Sequence, residues 1–131
     1  TGRLPLTANN WESIKRVGDY AVRNWIDTNM RYKRCLVVLI GEHTADRKWV
    51  KYEIESAYRS NKAIIGSHIH NINCPRLGKS RKGKNPFTFL QLPNGQNLSS
   101  IVPCYDPYAL NAYSDIAANI SVWINKALKQ R

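Results

Sequence analysis

A chain of 131 residues, 43% apolar and 22% charged, is one domain's worth of material with enough apolar side chain to fill a core, so wholesale disorder is excluded. The longest apolar run, residues 35–40, is strand-sized, which excludes a membrane-spanning helix. Twenty Lys and Arg against nine Asp and Glu leave a net charge of +11, a field that attracts nucleic acid, acidic membrane or phosphorylated small molecules.

The first nine residues read as irregular, with no starting Met and no apolar leader, as in a chain processed or cut from a longer one. A helix is predicted over 10–30, capped by Asn9 or Asn10, with Trp11, Ile14, Val17, Ala21, Val22 and Trp25 along one face. Cys-Leu-Val-Val-Leu-Ile-Gly at 35–41 reads as a strand of a parallel sheet, buried on both faces. A polar turn follows, and Thr44 or Asp46 is expected to cap a helix over 47–60 whose inward stripe is Val50, Ile54 and Ala57. Residues 63–69 form the next strand, and the strand-helix-strand order implies a parallel crossover.

Residues 71–100 are rich in Gly, Pro, Asn and Ser and lack periodicity, so a mobile or partner-defined loop is expected. The charge imbalance is concentrated nearby. No acid lies between Glu55 and Asp106, a stretch that holds Arg59, Lys62, Arg76, Lys79, Arg81, Lys82 and Lys84. Residues 101–105 suit a short edge strand, because Pro103 cannot donate to a ladder. A last helix over 113–129 buries Ile116, Ile120, Trp123, Ile124 and Ala127. The whole is read as a single α/β domain over 1–131, an open parallel sheet flanked by helices.

Ligands of open parallel sheets bind beyond the carboxyl ends of the strands. That directs attention to Gly41, Glu42, His43, Thr44, Asp46 and Arg47, and to Trp49 and Glu53, which share a helix face at a spacing of four. Glu53 lies beside Val50 and Ala57 on that helix, so its carboxylate is expected at the edge of the apolar face, partly desolvated. His68, His70 and Cys74 could be metal ligands, but no fourth ligand is evident and no metal site is assigned. Nucleotide-binding glycine motifs and the nucleophile elbow are absent. Cys35, Cys74 and Cys104 are odd in number and widely spaced, which fits a reducing, cytoplasmic setting. No aromatic residue interleaves the charges from Arg76 to Lys84, which argues against a single-strand nucleic-acid binder.

The run Cys-Leu-Val-Val-Leu-Ile-Gly-Glu-His-Thr-Ala-Asp-Arg-Lys-Trp-Val-Lys-Tyr-Glu-Ile-Glu-Ser-Ala at 35–57 resembles the TIR-like domains of bacterial Thoeris antiphage defence proteins. The similarity continues through Ile-Ile-Gly-Ser-His-Ile-His-Asn at 64–71, Gly-Lys-Asn-Pro-Phe at 83–87, Val-Pro-Cys-Tyr-Asp at 102–106 and Trp-Ile-Asn-Lys-Ala at 123–127. Such domains open with a strand of Phe-Ile-Ser-Phe type, which this sequence lacks. Relative to the family the chain is therefore N-terminally incomplete: the strand was removed, is not recorded, or is absent from a shortened relative. The strand at 35–41 is expected near the sheet's centre, with another copy or an N-terminal segment filling the vacant neighbour's place.

The resemblance implies a TIR-type, flavodoxin-like fold and an enzyme that cleaves NAD+ between nicotinamide and ribose, then cyclises the ADP-ribose part into a signal for a downstream effector. NAD+ would be the substrate, and no cofactor or metal would be needed. The resemblance places the catalytic carboxylate at Glu53, with Trp49, Thr44, Glu42 and His43 as substrate-binding residues. The basic loop could hold or attract the pyrophosphate. The alternative it leaves open is a non-catalytic adaptor that acts by self-association and partner binding.

Overall fold

The structure, a computed structural model, describes residues 15–73 and 78–130. The expected caps Asn9 and Asn10, the apolar residues Trp11 and Ile14, and Cys74 and Arg76 lie outside the described residues. The elements are α1 (Asp19–Met30), β1 (Cys35–Ile40), α2 (Lys48–Arg59), β2 (Ala63–His68), β3 (Cys104–Tyr105) and α3 (Ala112–Lys129).

The predicted first helix is interrupted. Residues 15–17 are helical, but Gly18 takes φ 120°, a backbone conformation open to glycine, and α1 starts anew at Asp19. The break moves the apolar stripe. Val17 is 77% exposed, whereas Val22, Ile26, Asn29 and Met30 are buried. Asn29 tolerates burial because its Nδ2 donates to the Trp25 carbonyl at 2.9 Å.

β1 and β2 pair in parallel, from Cys35 opposite Ala63 to Ile40 opposite His68, and β3 adds to the far side of β2 with Cys104 opposite Gly66. The order β1-β2-β3 corrects the expectation that the strand at 35–41 is central. Among the described residues β2 is the middle strand, buried along its whole length, and β1 is an edge with Leu39 half exposed. Alternation divides the two faces. Leu36, Val38, Ile40 and Ile64 face the core under α1 and α2. Cys35, Val37, Ala63 and Ile65 pack against Ala127, Trp123, Ile124 and Leu128 of α3. The Tyr105 and Trp123 rings stack at 4.2 Å, tying β3 to α3.

The segment expected to be mobile is built into the core. Asn85 Oδ1 accepts from the Phe87 amide at 2.9 Å and caps a 3-10 turn over Pro86–Phe89. Asn97 does the same for Leu98–Ser100 through the Ser99 amide. Between them Gln91 and Asn97 form an antiparallel bridge. These turns drive Phe87, Leu92, Leu98 and Val102 into the α1/α2 core, with Phe87 completely inaccessible to solvent. Its ring fills the space left by Gly66, where a Cβ would meet Phe87 Cε2 at 2.7 Å.

Replacing Phe87 with Ala should therefore cost about 3–5 kcal/mol. Urea unfolding with an unchanged m-value checks this; a loss below about 1 kcal/mol would mean that the segment is peripheral.

Candidate active site

The parallel register brings the carboxyl ends of β1 and β2 level, so the turn after β1 and the chain after β2 meet on one edge. The Gly41 amide donates to Thr44 Oγ1 at 2.8 Å, and Thr44 Oγ1 lies 3.5 Å from the Leu39 carbonyl as its own acceptor. This closes a tight turn that continues as a 3-10 turn over Thr44–Asp46. The Thr44 hydroxyl is thereby committed to the turn and does not cap α2. The helix begins at Lys48 with Arg47 as N-cap and no side-chain cap bond, so neither Thr44 nor Asp46 plays the expected capping role.

Glu42 and His43 are exposed beside this turn, with Glu42 Oε2 3.4 Å from His43 Nε2. Glu42 Oε1 accepts from the Arg81 amide at 3.3 Å. The loop that supplies Arg81 rides directly on the turn. Gly83 is buried there, and a Cβ on it would lie 2.0 Å from the Gly41 carbonyl oxygen.

On α2, Trp49 is half buried against the core, edge-on to Tyr52 at 6.0 Å, with the Lys48 ammonium 4.7 Å from its ring centroid. Tyr52 and Ser56 turn toward α1, where both hydroxyls donate to the Asp27 carboxylate at 2.7 Å. Glu53 falls between these two sets. Helical spacing places it beside Val50 and Ala57 on one side and Trp49 and Ser56 on the other, in the middle of the inward-facing arc.

Glu53 is partly buried and has no hydrogen bond or ion pair among the described residues. Burial raises its pKa above the ordinary carboxylate value, and Lys33 opposes that rise. A carboxylate held in a dry position without a partner costs the fold stability and gains it nothing. This arrangement suits a group reserved for a positive charge that appears during a reaction.

A second cluster lies at the ends of β2 and β3. His68 is 6% exposed, and its Nε2 is 3.5 Å from Cys104 Sγ. The His70 ring stands at right angles to that of His68, 5.6 Å away. The Nδ1 atoms of both histidines have no hydrogen-bond partner among the described residues. Burial, with Lys82 next in importance, lowers the His68 pKa, and burial raises that of the Cys104 thiol. The sequence paired these histidines with Cys74; the fold supplies Cys104 instead. The signal available was weak, a cysteine directly after a proline in an expected edge strand. No group of three or more His, Cys, Asp or Glu among the described residues is arranged to hold a metal ion.

An open parallel sheet with helices on both faces and an isolated carboxylate on the helix after β1 defines an α/β TIR-like domain. The family model of the Thoeris protein ThsB, TIR-like domain, matches residues 3–73, and the chain belongs to that family. It is also similar to a protein of Bacillus cereus (strain MSX-D12) that carries the provisional name cyclic ADP-D-ribose synthase ThsB1. The two are 35% identical over 83 residues, which is 63% of this chain and 43% of that relative. The chain thus spans less than half of the relative's length. No helix among the described residues is long and apolar enough to cross a membrane.

Two expectations follow from this geometry. Because the folded pKa of Glu53 is raised, the native state binds more protons than the unfolded chain in the window above the ordinary carboxylate value, and stability falls as pH rises through it. Glu53→Gln removes that penalty, so the variant should melt above the parent at pH 7, with the gap closing toward pH 4. An equal gap at both pH values would mean that desolvation is not the cause. Gly83→Ala should lift the loop from Gly41, lowering stability by about 1–3 kcal/mol and speeding tryptic cleavage at Arg81 and Lys82. Parent-like cleavage would show that the contact is loose.

Proposed function

We propose that this protein cleaves NAD+ at the bond between nicotinamide and ribose and cyclises the ADP-ribose part into a signalling nucleotide in antiphage defence. The observation that carries the reading is the partly buried carboxylate of Glu53, centred on the inward arc of α2 with no partner among the described residues. Membership of the ThsB TIR-like family and the cyclic ADP-D-ribose synthase name of the relative support it.

The chemistry explains why one carboxylate suffices. The C–N bond breaks with its electron pair going to the nicotinamide ring, which leaves as a neutral molecule. The ribose carbon and ring oxygen then share the positive charge. A fixed carboxylate beside them stabilises that cation without forming a bond. A nitrogen of the same molecule's adenine can capture the ribose carbon and close the ring. Raising the carboxylate's pKa by burial concentrates its field on the cation. Trp49 is placed to wall the site; its ring is already covered by Lys48, so stacking on a ligand would require Lys48 to move.

The test is nicotinamide release by the intact protein, measured by chromatography. Glu53→Gln keeps the side-chain volume but loses the charge, and should reduce turnover on the order of a hundredfold or more. Near-parent turnover by the variant would sink the assignment. A parent that releases no nicotinamide but assembles with rising concentration would favour the adaptor reading.

A further inference from the structure

Residues 78–85 carry Lys79, Arg81, Lys82 and Lys84 and no acid. Charges of one sign this close repel one another, and a loop left to itself would spread them into solvent. The fold instead pins the loop on every side. The Ser80 amide donates to the His70 carbonyl at 2.9 Å, and the Arg81 amide to Glu42 Oε1 at 3.3 Å. Lys79 Nζ donates to the Ala109 carbonyl at 2.8 Å, Lys82 Nζ pairs with Asp106 at 2.6 Å, and Gly83 lies against the Gly41 carbonyl.

These anchors also consume the acids within reach. Asp106 is held by Lys82, which depresses the carboxyl's pKa, and Glu42 is shared between the Arg81 amide and His43. Two cations are left over. Arg81 and Lys84 are exposed, and neither side chain has an ion pair among the described residues. They flank Gly83, with α-carbons no more than about 10 Å apart, on a backbone that is already immobilised. An arginine fork beside a lysine point charge, both ordered before any ligand arrives, is the arrangement that binds two adjacent phosphates.

We propose that Arg81 and Lys84 form a diphosphate-binding subsite at the carboxyl end of β1, taking the pyrophosphate of a dinucleotide. The assignment rests on the NAD+ reading above for the rest of the ligand. Nucleic acid fits less well, because only two cations are surplus and no aromatic residue from 78 to 86 offers a stacking platform.

The experiment is calorimetric titration of the intact protein with ADP-ribose and, separately, with inorganic pyrophosphate. The parent is compared with an Arg81→Gln, Lys84→Gln double variant. Both substitutions lie on exposed side chains and leave the Arg81 amide in place, so the fold should survive; circular dichroism checks it. Lys129→Gln, at the end of α3 far from this edge, controls for net charge. The double variant should bind both probes at least about tenfold more weakly, the scale of one lost charge-assisted hydrogen bond. The parent's affinity should weaken with salt and the variant's should not. Equal affinities in parent and variant, or no binding of either probe by the parent, would overturn the subsite. So would salt-sensitive binding of a DNA oligonucleotide that exceeds that of ADP-ribose and is lost in the same variant. Nicotinamide release is read independently. A parent that binds both probes through these residues yet releases no nicotinamide keeps the subsite and loses only the reaction.

Discussion

The functional end of this molecule depends on the parallel register of β1 against β2. With Ile40 opposite His68, both strands stop at the same level. The backbone after each must turn away, and the two exits come close enough for the Gly83 backbone to press on the Gly41 carbonyl. A slip of one residue would reverse the faces of β1 and send Leu36, Val38 and Ile40 out of the core. The position of the Gly41 turn and the start of α2 follow from this pairing, and with them the place of Glu53.

Side-chain loss at two glycines lets distant chain segments meet. Gly66 leaves room on β2 for the Phe87 ring, and Gly83 lets its loop lie on β1's exit. The first contact brings residues 86–102 into the core, and the second sets Arg81 and Lys84 at the rim. Structural and functional demands therefore fall on the same segment. The buried apolar residues Phe87, Leu92 and Leu98 hold down a loop whose charges would otherwise push it away.

Electrostatics at the two ends of the candidate site are complementary. Glu53 is an acid in a dry position, where its field is strong and its presence destabilises the fold. Arg81 and Lys84 are cations in a wet position, where the field is screened but binding is fast and reversible. A ligand carrying a phosphate pair at one point and a developing positive charge at another would be oriented by this difference alone. The Asp27 network with Tyr52 and Ser56 keeps α2 aligned on α1 and leaves Glu53 without an internal donor.

The sequence by itself determined the elements whose pattern is local. The β-branched run of β1, the apolar strand β2 and the periodic stripe of α2 were legible because each repeats at two or 3.6 residues. The same periodicity put Glu53 next to Val50 and Ala57. Tertiary structure decided what no period encodes. It made β2 the middle strand among the described residues, broke the first helix at Gly18, spent Thr44 on its own turn, paired His68 with Cys104, and drew an aperiodic, polar segment into the core through Phe87. In each case the deciding contact joins backbone or side chains that the local pattern does not couple. Its energy comes from a close approach that exists only once the sheet has formed.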